Sequence, residues 1–148
     1  MVFHVRQLEP DERAEVRAWE WPDSPLEWVC VGQPGHDDFA IVDENDTLVG
    51  YCSFGPHAMI PPLHGDERFA DVAWGMRPEL VGQGNGAAFI RVIAEHGRGQ
   101  YPGRLVRAQI RWDNSRSLTA ATRAGFEASE KVGARVIVIY GDDSTSST

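Results

Sequence analysis

At 148 residues with a formal charge of −8, the chain is sized for one domain, and its acidic balance argues against generic affinity for nucleic acid or anionic membrane. Hydrophobic residues at 42% and charged residues at 24% exclude a disordered or fibrous chain. The longest apolar runs, such as Val136 to Tyr140, are strand-sized, and no basic stretch followed by an apolar core opens the sequence, so a cytoplasmic location is expected.

Phe3, Val5 and Gln7 alternate with His4 and Arg6 as a first strand, and Pro10 stands where a helix begins. That helix is expected over Asp11 to Trp19, with acids in its first turn and Ala14, Val16 and Ala18 as its apolar stripe. Pro22 and Pro25 interrupt it, and Leu26 to Val31 is expected as a second short helix. From Asp38 strand formers dominate: Phe39 to Val42 and Leu48 to Phe54 read as a hairpin about the turn Asp43, Glu44, Asn45, Asp46. A loop from Gly55 to Asp66 leads to a fourth strand over Phe69 to Met76, which Pro78 prevents from continuing.

Ala87 to His96 reads as a helix with Phe89, Ile90, Val92 and Ile93 inward and Arg91 and Glu95 outward, and Gly97 and Gly99 are expected to stop it. In the strand Leu105 to Trp112, Val106, Ala108, Ile110 and Trp112 share one face; Arg107, Gln109 and Arg111 share the other, expected to be wet. Asp113 or Asn114 caps a helix over Ser115 to Ala124, Gly125 ends it, and two terminal strands follow, the last Arg135 to Tyr140. One domain over 1–142 and a flexible tail over 143–148 are expected. Cys30 and Cys52 sit in apolar surroundings and read as buried reduced thiols, while His57 and His64, seven apart, match no metal spacing, so no metal site is expected.

Between the fourth strand and the following helix lies Gly82, Gln83, Gly84, Asn85, Gly86. A strand, a tight glycine turn and a helix make an anion site, because free N–H groups of the first helical turn converge where the helix dipole is positive. Side chains at Gly82, Gly84 and Gly86 would block close backbone approach or forbid positive backbone angles. A P-loop would end in Gly-Lys-Ser or Gly-Lys-Thr, whereas this turn runs into Ala87 and Ala88. A dinucleotide fingerprint would follow the first strand with GxGxxG spacing, whereas this GxGxG follows the fourth.

With Gly75, Met76, Arg77 and Pro78 running into this turn, then Asn114 and Arg123, Ala124, Gly125, Phe126, the sequence resembles the GNAT superfamily of N-acetyltransferases over nearly its whole length. The resemblance implies an α/β single-domain fold with a mixed, mostly antiparallel sheet of about seven strands flanked by about four helices, splayed between strands 4 and 5. It implies acetyl-CoA as cosubstrate, bound by Trp74, Gly75, Met76, Val81, Gly82, Gln83, Gly84, Asn85, Gly86, Ala87, Asn114 and Ser117. The pantetheine arm would pair with the strand edge at Trp74 to Met76, and Asn114 is placed to bond that arm or to cap its helix. Val81 stands where the family has Gln or Arg, and Ala121 stands where it often has a Tyr that protonates the leaving thiolate.

In the implied chemistry a neutral amine attacks the thioester directly, so positioning and oxyanion stabilisation dominate. An N–H near Met76 is the candidate for polarising the thioester carbonyl, Asp71 the candidate base with Glu67 and His64 as competitors, and Ser117 or water the candidate acid. Trp21, Trp28 and His57, with Trp19 beside them, are candidate contacts to the amine, the tryptophans through cation–π attraction. The acceptor is expected to be a small-molecule amine; a protein N-terminus or lysine, or a non-catalytic acyl-CoA regulator, are the other readings, and a homodimer is the candidate assembly.

Overall fold

The computed structural model describes residues 1–19, 31–59, 63 and 66–141. In chain order these form β1 (His4–Gln7), α1 (Pro10–Ala18), β2 (Asp37–Val42), β3 (Leu48–Phe54), β4 (Phe69–Met76), α2 (Gly86–Gln100), β5 (Leu105–Arg111), α3 (Ser115–Ala124), β6 (Glu127–Val132) and β7 (Arg135–Tyr140), with 3-10 turns at Pro56–Ala58 and Pro78–Leu80. The strands make one seven-stranded sheet in the order β1-β2-β3-β4-β5-β7-β6. Neighbours are antiparallel except β4 and β5, which run parallel because α2 crosses over between them. The expected second helix over Leu26 to Val31 falls almost wholly outside the described residues, as does the tail.

Local chemistry sets the element ends. Pro10 occupies the first turn of α1, and Glu9 and Glu12 form a reciprocal capping box there. The β2–β3 turn is held by Asp43, whose Oδ1 accepts from the N–H groups of Asn45 and Thr47 at 2.8 and 3.0 Å. Asp46 takes a left-handed conformation in that turn, which a short polar residue tolerates. Gly125 closes α3 in the same way at φ 113°.

The sheet separates two cores. The larger packs Phe89, Ile90, Ile93 and Ala94 of α2 and Ala121 and Ala124 of α3 against Cys52, Val72, Val106 and Ala108. The smaller sets Val16 of α1 and Val31 against Ala40 and Tyr51 on the other face. Within α1 only Val16 of the expected stripe is buried.

Three expectations are corrected. Helix α2 runs through Gly97 and Gly99 to Gln100, because Gly97 is buried where a β-carbon would meet Phe54 and Val106 at 2.8 Å; the glycine lets the helix press on the sheet rather than stopping it. Trp112 lies past the end of β5 and is 55% exposed, with the Lys131 ammonium over its ring. Arg107, expected on a wet face, is 6% exposed.

Candidate active site

Strands β4 and β5 pair only through Phe69–Leu105, Ala70–Val106 and Asp71–Arg107. Beyond Asp71 they part into a V, whose other limb is Ala108 to Arg111. In β4, Asp71 and Arg77 engage β3, since the Asp71 carbonyl accepts from Gly55 and the Arg77 N–H donates to Val49. Strand alternation therefore turns the N–H and C=O groups of Val72, Trp74 and Met76 toward the V. The side chains of Trp74 and Met76 pack against the larger core on the α2 and α3 side, and the Trp74 ring lies 5.8 Å from Phe126. Gly75 pairs with Tyr51 across β3.

The glycine turn stands at the open end of the V. Gly82 and Gly84 have φ of 81° and 86°, a conformation that side-chain-bearing residues rarely adopt, so two peptide units turn without steric cost. Gly86, the first residue of α2, needs glycine for another reason: a β-carbon there would sit 3.1 Å from that of Ala120, so its absence lets the N-terminus of α2 pack against the middle of α3. Gln83 is exposed and folds back along the turn, its side-chain amide donating to the Glu79 carbonyl at 2.8 Å. The Val81 N–H donates to the Pro78 carbonyl. Asn85 is the N-cap of α2 without a side-chain bond, and Ala87 follows in the first turn.

Asn114 caps α3, its Oδ1 accepting from the Ser117 N–H at 3.2 Å. That leaves the amide nitrogen of Asn114 for another partner. Ser117 is half-buried, and Ala121 is fully buried in the core, so its position offers no polar group.

At the paired end of the V, Asp71 accepts from Arg107 Nε at 2.7 Å and Nη2 at 3.1 Å, with both residues buried. The guanidinium also covers the Phe69 ring at 4.5 Å. Burial pushes the Asp71 carboxyl above its ordinary value, and the Arg107 hydrogen bonds pull against that shift. Both Asp71 oxygens are committed, which makes it an anchor before it is a proton acceptor. A cavity of about 340 Å³ opens beside this pair, lined by Asp37, Phe54, Asp66, Glu67, Asp71 and Tyr101 among others. Glu67 is exposed at its rim, and the Tyr101 hydroxyl donates to Asp37.

His57 is exposed on the Pro56–Ala58 turn next to the cavity and stacks on His36 at 5.4 Å. Its backbone N–H donates to His36 Nε2 at 2.8 Å, so His36 carries its proton on Nδ1 and donates to Ser53 Oγ, which in turn donates to Asp38. Burial and the neighbouring His57 lower the His36 pKa, against the opposing charges of Asp38 and Asp37. This chain of bonds escaped sequence reasoning because its members are dispersed along the chain and meet only through the β2–β3 register. Arg116, whose guanidinium carbon lies 3.4 Å from where a β-carbon on Gly82 would sit, was not singled out in the sequence either, although an arginine in a first helical turn runs against the usual charge preference. Trp21, Trp28 and His64 lie outside the described residues; Trp19 packs against the smaller core beneath the Arg77 guanidinium. Among the described residues no grouping of three or more His, Cys, Asp or Glu is arranged for a metal, and no helix is long and apolar enough to cross a membrane.

Comparison with known proteins agrees with this geometry. A family model described as an acetyltransferase (GNAT) domain matches residues 3–127. No curated protein sequence matches the chain. Among solved structures, AAC(6')-Ib in complex with ribostamycin and coenzyme A is similar with a TM-score of 0.76 at 15% identity, over 95% of this chain and 93% of that one. Spermidine N-acetyltransferase from Vibrio cholerae in complex with CoA and spermine gives 0.66 at 12% identity, over 93% and 92% of the two chains. At such identities the likeness is one of fold, and the CoA held by both neighbours is consistent with acetyl-CoA as the cosubstrate. The sheet order, the parted β4–β5 pair and the glycine turn at its mouth all accord with the match over residues 3–127: the chain belongs to the GNAT acetyltransferase family.

Proposed function

We propose that the protein transfers an acetyl group from acetyl-CoA to a primary amine of a small cationic molecule by direct attack of the amine on the thioester. The observation that carries this reading is the run of β4 beyond Asp71, which no strand among the described residues pairs on the β5 side. An extended pantetheine arm fits there as an added strand alongside Trp74, Gly75 and Met76, with its pyrophosphate at Gly82 to Ala87. The Asn114 amide donates to the arm while its oxygen keeps the helix cap.

An N–H of β4 turned to the V polarises the thioester carbonyl, those of Val72 and Trp74 standing nearer the acceptor cavity than that of Met76, and the amine adds to the carbonyl carbon to give a tetrahedral oxyanion. Collapse breaks the C–S bond and releases CoA thiolate, which takes a proton from water or from the Ser117 hydroxyl. A thiol is acidic enough that the missing tyrosine at Ala121 need not stop turnover. On the acceptor side, Asp37 and Glu67 outweigh Arg104 in the cavity wall, Asp66 being paired with Arg68, and this leaves a net negative charge that attracts an ammonium, with His57 contacting the substrate at its lip. The tie to Arg107 moves Asp71 from base to positioning residue, and the ammonium proton leaves through water beside Glu67. Spermine and an aminoglycoside in the two neighbours support a small polycationic acceptor over a peptide.

The test is thiol release from acetyl-CoA across polyamines, aminoglycosides, amino acids and peptides. Turnover with a small amine is expected. Tight acetyl-CoA binding without release above hydrolysis would overturn the enzyme reading in favour of a regulator, and turnover with peptides alone would replace the acceptor class.

A further inference from the structure

The first turn of α3 brings Arg116 against the glycine turn. A β-carbon placed on Gly82 would lie 3.4 Å from the Arg116 guanidinium carbon and 3.5 and 3.6 Å from its two terminal nitrogens, so the planar group lies over the peptide backbone at Gly82. Gly82 itself is held at φ 81°. Helices α2 and α3 touch through Gly86 and Ala120, and their N-terminal ends open toward the same turn.

The charges at this spot are unusual for an acidic chain. Helix α1 follows the ordinary rule, with Asp11 and Glu12 in its first turn. The first turns of α2 and α3 contain no acid, and α3 carries Arg116 there, a cation at the positive end of a helix. Asp113, the nearest acid in sequence, is taken by Arg111 at 3.1 Å, and between Arg77 and Gly86 the only acid is Glu79. Arg116 makes no hydrogen bond or ion pair with another described residue, so none of the described residues offsets its placement through such a contact. Val81 has an apolar side chain and its N–H is spent on Pro78, so the turn has no polar side chain of its own at that position.

We propose that Arg116 is a ligand of the cofactor's phosphates, supplying from α3 the side-chain donor that Val81 lacks. This rests on the acetyl-CoA reading above. The planar fork of guanidinium donors matches phosphate oxygens, and its charge adds to the two helix ends. The phosphate involved is either the pyrophosphate or the 3'-phosphate, and the two are separable by ligand.

The test compares the wild type, Arg116→Ala and Arg116→Lys in calorimetric titration with CoA and with 3'-dephospho-CoA, and in turnover with acetyl-CoA and with S-acetylpantetheine, which has no phosphate. Arg116→Ala is expected to bind CoA about tenfold to a hundredfold more weakly, the range of a charge-assisted hydrogen bond, with Arg116→Lys between. The loss should appear in KM for acetyl-CoA with kcat little changed, and S-acetylpantetheine turnover should be unaffected. Equal weakening toward both nucleotides assigns the pyrophosphate; weakening toward CoA alone assigns the 3'-phosphate. Because Arg116 is exposed and opposes the helix dipole, the ligand-free variant should melt at or slightly above the wild-type temperature. CoA affinity within twofold of wild type in Arg116→Ala would overturn the assignment while leaving the enzyme reading standing. Failure of the wild type itself to bind CoA would remove both.

Discussion

Replacing Asp71 with Asn separates two roles for the carboxylate at the closed end of the V. The change leaves Arg107, 6% exposed, with one acceptor oxygen of residue 71 in place of two and removes the carboxylate charge that faces it. Breaking a buried pair by removing one partner costs about 3–5 kcal/mol. The remaining Asn oxygen and the Phe69 ring 4.5 Å from the guanidinium keep the expected loss near the lower figure, about 3 kcal/mol. For a domain of this size that lowers the melting temperature by about 10 °C. Thermal unfolding followed by circular dichroism measures it, with Asp71→Leu combined with Arg107→Met as the control, since an apolar pair of similar volume should recover most of the loss. Turnover assayed well below the melting point completes the comparison. A variant that melts within about 2 °C of wild type yet loses about 100-fold to 10,000-fold in kcat would refute the anchoring role and restore Asp71 as the proton acceptor.

Gly84→Glu should abolish acetyl-CoA binding, because a carboxylate enters the phosphate turn, while the fold survives with a strain of about 1–2 kcal/mol from its φ of 86°; unchanged affinity in calorimetry would displace the phosphate site from this turn. Gly97→Val should cost about 1–3 kcal/mol by overpacking against Phe54 and Val106, and a denaturation midpoint equal to wild type would contradict the close approach of α2 to the sheet. His36 should make stability fall on acidification. Its pKa is lowered in the folded state, so its contribution is complete above the ordinary histidine value of about 6.5 and is lost as pH drops below it. The groups around it are Asp37, Asp38 and His57, with Arg13 3.4 Å from Asp38. Urea midpoints at pH 7.5 and 5.5 should differ less in His36→Gln, with the remainder due to His96, whose pKa burial also lowers; an unaltered difference would remove His36 as a source.

Elements with local stop signals were readable in the sequence to the residue. Strand β4 from Phe69 to Met76 lies before Pro78, and α3 from Ser115 to Ala124 lies between the cap of Asn114 and the left-handed Gly125. The glycine turn was legible for the same reason, since positive backbone angles at Gly82 and Gly84 leave few other residues possible. What sequence periodicity missed depends on neighbours distant along the chain. Gly97 reads as a helix stop until Phe54 and Val106 are seen against it. Arg107 alternates with apolar residues like any solvated side chain, and only its register opposite Asp71 explains its burial. Arg116 has meaning only once α3 is folded beside Gly82.

The interruption between β4 and β5 also bears on how this sheet avoids pairing with other chains. Unsatisfied strand edges invite addition of a further strand, and the outer edges here are guarded by shortness and charge: β1 has four residues, including His4 and Arg6, and β6 carries Glu127, Glu130 and Lys131. The inner edge, from Val72 to Met76, has no charged residue and would be the most adhesive of the three on an open surface. Placed between the two halves of its own sheet, it is shielded from another protein's β-strand while a slender extended ligand can still enter. On the proposed binding mode, an aggregation hazard becomes selectivity for ligand shape.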